Sequence, residues 1–134
     1  MGKLLQRLKD PVRSGVYRAA RADEIVEATR GGDLRVVRIA GSDKTSLLEN
    51  TAKALAFPEW FGQNWDALED CLTDLSWNPA AGYVLIFENA RSDDVMTDIL
   101  ASAAEFWRGR GKPFFAVLID PQRKMPLPDL YREA

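Results

Sequence analysis

The sequence predicts an α/β protein, a small three-layer fold in which a parallel sheet of three or four strands is flanked by helices. Three observations carry this. Segments of strand and helix character alternate along the chain, the pattern of crossover-connected parallel strands. Two of the strand segments, YVLIF at Tyr83 to Phe87 and FFAVLI at Phe114 to Ile119, are apolar at every position, and so need cover on both faces. The 134 residues suffice for one hydrophobic core and are too few for two ordinary ones.

In chain order, residues 1–14 are basic, with Leu4, Leu5 and Leu8 at brief helical spacing before Pro11, which fits either a short helix or a loose arm. Gly15 to Ala19 suits a short strand. Ala22 to Thr29 reads as a helix stopped by Gly31 and Gly32. Leu34 to Ala40 (LRVVRIA) has good β-propensity and is expected to be buried on both faces. Asp43 to Ala56 carries Leu47, Leu48, Thr51, Ala52 and Leu55 at helical spacing. Phe57 to Gln63 is an aromatic loop in which Phe57 and Phe61 suit the core and Trp60 suits contact. Ser92 to Arg110 is a longer helix that packs through Val95, Met96, Ile99, Leu100, Ala103 and Trp107. Beyond Asp120, prolines 121, 126 and 128 predict an extended surface segment.

The stretch with functional character is FPEWFGQNWDALEDCLTDLSW, Phe57 to Trp77. At about 100° per residue, Trp65, Leu68, Cys71, Leu72 and Leu75 share one arc of a helix over Trp65 to Leu75, and Asp66, Glu69, Asp70 and Asp74 share the other. Asn64 is the expected N-cap, and Asp66 suits the positive helix end. No lysine or arginine stands between Pro58 and Gly82. Aspartates at successive i,i+4 positions repel by a few tenths of a kcal/mol per pair, so the row is either a plain solvated acidic face, as charge runs usually are, or serves something other than helix stability. The net charge of −2 conceals a strong asymmetry: residues 1–38 carry +4, residues 39–90 carry −6 and residues 91–134 are neutral. A concentrated negative field attracts cationic partners and repels nucleic acid.

Catalytic motifs are missing from this pattern. The chain has no histidine, the commonest general base and the usual partner of a serine or cysteine nucleophile. The lone Cys71 lies on the apolar arc beside carboxylates, which keeps a thiol protonated, and suits packing. Asp66, Asp70 and Asp74 could hold a hard divalent cation only with a second acidic element, Glu59 or Glu88, because one helix face rarely encloses an ion. No apolar run is long enough for a membrane span and the N-terminus has no signal-peptide core, so a cytoplasmic protein without cofactors is expected.

The run PEWFGQNWDALEDCL, Pro58 to Leu72, resembles the loop and helix of the barstar family of intracellular ribonuclease inhibitors, and the order of elements across residues 34–119 is similar too, so the resemblance implies an N-terminal extension over 1–33 (a short strand and helix), a family-like domain over 34–119 and a proline-rich tail over 120–134. The resemblance implies a protein that is not an enzyme, monomeric when free, whose acidic helix and preceding loop fill the cationic active site of a barnase-like ribonuclease or similar basic protein. It implies partner-binding roles for Trp60, Gly62, Asn64, Asp66, Glu69, Asp70 and Asp74, with Asp70 central among the partner's cations and Trp60 in place of a stacking tyrosine. Three residues depart from the family: Glu69 stands where it has a tryptophan, and Phe106 and Arg110 stand where it has glutamates. A carboxylate-dependent metal enzyme, or a regulatory module of this fold for another basic protein, are the alternative expectations.

Overall fold

A four-stranded, wholly parallel sheet in the order β1-β4-β3-β2 organises the chain, formed by β1 (Gly15–Ala19), β2 (Arg35–Ala40), β3 (Tyr83–Glu88) and β4 (Phe114–Ile119). The computed structural model describes residues 2–59, 61–91 and 93–131. Its helices are α1 (Lys3–Leu8), α2 (Asp23–Thr29), α3 (Lys44–Ala54), α4 (Trp65–Leu72) and α5 (Asp94–Gly109).

Alternation along the two central strands divides the core. Tyr83, Leu85, Phe87, Phe114, Ala116 and Leu118 point to one face and pack under α3, α4 and α5. Val84, Ile86, Phe115 and Val117 point to the other and meet Leu8 of α1 and Ile25 of α2. The residues before Leu34 therefore supply both an edge strand and the third layer. β1 runs parallel to β4 with Gly15 opposite Phe115 and Ala19 opposite Ile119.

Two expectations about these segments need correction. The strand at Leu34 to Ala40 is not buried on both faces: β2 is an edge strand, and of its six residues only Ile39 is buried. Arg35 and Arg38 interrupt the apolar run and lie at the edge where water reaches them. The segment after Asp120 is irregular but not merely superficial. Arg18 N–H donates to Pro128 O (2.9 Å), Leu130 N–H donates to Arg18 O (2.9 Å), and Leu130 is 1% exposed in the α1–α2 layer. The Arg18 side chain holds this segment through Asp129 (2.9 Å) and the carbonyls of Arg123 and Met125.

Helix ends follow their caps. Asp43 accepts from Ser46 N–H and starts α3, and Asp93 accepts from Met96 N–H and starts α5. The expected start of α5 at Ser92 falls outside the described residues. Val95, expected on its packing side, is 48% exposed in the first turn.

Candidate partner-binding surface

α4 begins where Asn64, in extended backbone, turns its side-chain oxygen to accept from Ala67 N–H at 2.8 Å. The residue before it, Gln63, takes a φ of +52°, and Gly62 lies so close that an added Cβ would stand 3.2 Å from the Asn64 amide nitrogen. The loop is fastened from beneath by rings. Phe57 meets Phe61 edge to face at 4.9 Å and Trp77 at 5.9 Å. Trp77 Nε1 and Asn78 Nδ2 both donate to Leu55 O, at 3.1 Å each.

The inner arc of α4 is anchored as strongly. Leu68, Cys71 and Leu72 are buried, and Trp107 of α5 donates from Nε1 to Leu72 O at 2.8 Å. Burial, reinforced by the Asp70 and Asp74 charges, pushes the Cys71 thiol up to about 11. That thiol is a packing group in its neutral form.

The outer arc carries Asp66 and Asp70, both exposed, with half-buried Glu69 beside them. Among the described residues, none of these three, nor Glu59 or Asp74, forms an ion pair within the chain. Elsewhere several carboxylates are paired: Arg30 holds Glu27, Arg38 holds Glu88, and Arg108 holds Glu105.

Asp74 differs from the sequence-based expectation. The helix ends at Leu72 rather than Leu75, Leu75 adopts a φ of +52°, and Asp74 accepts from Ser76 N–H at 3.2 Å. Asp74 is therefore a turn residue, off the regular helical row that Asp66 and Asp70 share. Gly62, Asn64, Asp66, Glu69 and Asp70 come together on one loop-and-helix unit; Trp60 falls outside the described residues. Lys44 was not anticipated, since it belongs to the start of α3, yet its ammonium lies 5.4 Å from the Trp65 ring. Arg110 covers the Phe106 ring at 4.2 Å at the end of α5.

The chemistry this surface supports is recognition. Glu88, one candidate for completing a cation site, faces the α2 side and is bound by Arg38 at 2.7 Å. Among the described residues no group of three or more metal-ligating side chains comes together, and no helix is long and apolar enough to cross a membrane.

The fold is a three-layer parallel α/β scaffold that holds exposed carboxylates on a helix fixed by its buried face. Residues 34–119 match the Barstar family, described as Barstar (barnase inhibitor), and the match spans more than half of the chain, which therefore belongs to that family. The family is one of inhibitors rather than enzymes. No curated protein matches the chain.

Proposed function

We propose that the chain inhibits a ribonuclease by seating the outer arc of α4 and the loop before it in the enzyme's cationic active site. The observation that supports this reading is the set of three side-by-side carboxylates, Asp66, Glu69 and Asp70, that the chain itself leaves without an ion pair among the described residues on a helix locked by its buried face. A ribonuclease that binds RNA phosphates gathers arginine and lysine in its cleft, and a carboxylate on a rigid support offers oxygens at the place of a phosphate. Preorganisation matters because ordering a mobile loop would subtract from affinity. Asp70 is the central group, Asp66 and Glu69 flank it, and Trp60, Gly62, Asn64 and Asp74 extend the contact. The partner is a barnase-like ribonuclease or a similar basic protein, met in the cytoplasm.

Calorimetric titration into a barnase-type ribonuclease tests this, run with and without a nucleotide monophosphate that occupies the enzyme's phosphate site. Tight one-to-one binding that the nucleotide weakens is expected. Binding indifferent to the nucleotide would place the contact elsewhere and overturn the proposal.

A further inference from the structure

The two edges of the sheet are treated differently. Beside β1 the chain lays its own residues 128–130, with two main-chain hydrogen bonds to Arg18 and an ion pair between Arg18 and Asp129 at 2.9 Å. Along the outer side of β2 none of the described residues is laid as a strand. Arg35 N–H donates to Gly82 O at 2.8 Å and Arg35 stands opposite Tyr83, so the main-chain groups of Arg35, Val37 and Ile39 face β3. Those of Val36, Arg38 and Ala40 then face outward. Asn50 Nδ2 donates to Ala40 O at 2.6 Å and closes the far end. Among the described residues no hydrogen bond occupies the outward N–H and C=O of Val36 and Arg38.

A groove runs along this open stretch, with Val26, Leu34 and Val36 as its apolar wall and Arg30, Arg35 and Arg38 as its charged lining. Arg30 holds Glu27 through an exposed ion pair, the kind that contributes little and exchanges readily, whereas Arg38 is engaged by Glu88 in a two-point contact at 3.1 and 2.7 Å and by Asp23 at 3.8 Å. Arg35 has no ion pair among the described residues. Arg35 and Arg38 project to opposite faces of the sheet, so a segment laid against β2 has a cation on each side of it. Edge arginines ordinarily discourage pairing with another copy of the same edge; the same charges accept a strand that brings carboxylates.

We propose that the β2 edge is a second binding site, which adds an extended acidic segment of another protein as a fifth strand. The closed edge shows the chemistry of such an occupant within this molecule: main-chain pairing to an edge strand, one carboxylate on an edge arginine, and an apolar residue, Leu130, tucked beside it. The added strand pairs with Val36 and Arg38, sets a carboxylate on Arg35, and lays an apolar side chain against Val36 and Val26. The groove opens on the α2 side of the sheet and α4 lies on the other, so both sites can be filled at once.

The probe is a short labelled peptide of alternating valine and glutamate, titrated by fluorescence anisotropy into the full chain at low salt. Binding is expected, and is expected to weaken roughly tenfold or more with lysine for glutamate, with Arg35→Glu, or with N-methylation of alternate peptide nitrogens, because each removes a charge-assisted contact or a main-chain pair. Amide exchange of Val36 and Arg38 should slow in the complex, and Asp70→Ala should leave the affinity unchanged. The N-methylated peptide tests the site without altering the protein, so a failure of Arg35→Glu to fold does not rescue the idea. The proposal is overturned by no binding at millimolar peptide, by equal affinity for the lysine or N-methylated peptide, by unprotected Val36 and Arg38 amides, by displacement of the peptide by single-stranded RNA, or by pairing of two copies through this edge in sedimentation.

Discussion

Asp70 is exposed, lies mid-helix on α4, and has no ion pair with this chain among the described residues, so its charge is available to a partner at no cost to the fold. Asp70→Ala is expected to leave the melting temperature nearly unchanged while weakening ribonuclease binding by about 2–5 kcal/mol, the range for a buried interfacial charge pair, to which complexes of this family themselves contributed. Equal losses of affinity and stability would mean that Asp70 supports the fold instead. Cys71 makes the opposite case. Its folded-state thiol is pushed up to about 11 by burial first and the Asp70 and Asp74 charges next. The folded chain therefore holds its proton to higher pH than the unfolded chain does. This contribution to stability is complete below the ordinary thiol range and is lost as pH rises from there through about 11. Denaturant midpoints measured across that window should fall in wild type and fall less in Cys71→Ala. Both side chains were readable from the 100° arcs of the sequence. Asp74 was not, because no glycine or proline marks the helix stop: the helix ends where Leu75, an ordinary residue, takes a left-handed backbone and stays buried.

For the elements, the question is what fixes α4 and its loop. Asn64 supplies the cap, and Asn64→Ala should lower stability by about 1 kcal/mol, read by chemical denaturation, while slowing dissociation of no partner and loosening the loop that precedes the helix. Gly82 shows a tighter constraint. A Cβ there would fall 2.5 Å from Pro113 Cγ and 2.8 Å from Leu34 Cδ2, where β2, β3 and β4 begin side by side. Gly82→Ala should cost about 1–3 kcal/mol by overpacking, against little or no effect at Gly109, whose surroundings are open. Each strand was legible as a strand from its composition, but rank within the sheet was not. YVLIF and FFAVLI became the two central strands, whereas LRVVRIA, with arginines at positions 35 and 38, became an edge. The arginines were the available signal, and the apolar positions between them outweighed it.

Over the whole molecule, the residues flanking the family-matched stretch bind to each other as well as to it. β1 pairs with β4, and residues 128–130 pair with β1, so the two ends of the chain meet at one edge of the sheet. Leu130→Ala should therefore destabilise the protein by about 2–4 kcal/mol although it lies four residues from the C-terminus, and exchange of the Arg18 amide, which donates to Pro128 O, should quicken with it. A surface tail would show neither effect. Proline content made this segment look peripheral; the residues that bury it, Leu130 and the Arg18–Asp129 pair, are separated from their partners by more than a hundred positions and leave no local pattern. The charge asymmetry, by contrast, was legible from the sequence and carries a kinetic consequence: association with a cationic partner should slow as salt rises, since steering acts over roughly a Debye length.

The most direct test is a titration of RNA cleavage. A barnase-type ribonuclease at fixed concentration is mixed with increasing amounts of wild-type chain or of the Asp66→Ala/Asp70→Ala double variant, and residual cleavage is followed on a fluorogenic RNA. Cleavage should fall linearly to zero at one equivalent of wild type, and the double variant should require a large excess to reach the same inhibition. Full cleavage in the presence of excess wild type, or equal inhibition by the double variant, would contradict the idea that these carboxylates occupy the enzyme's phosphate sites.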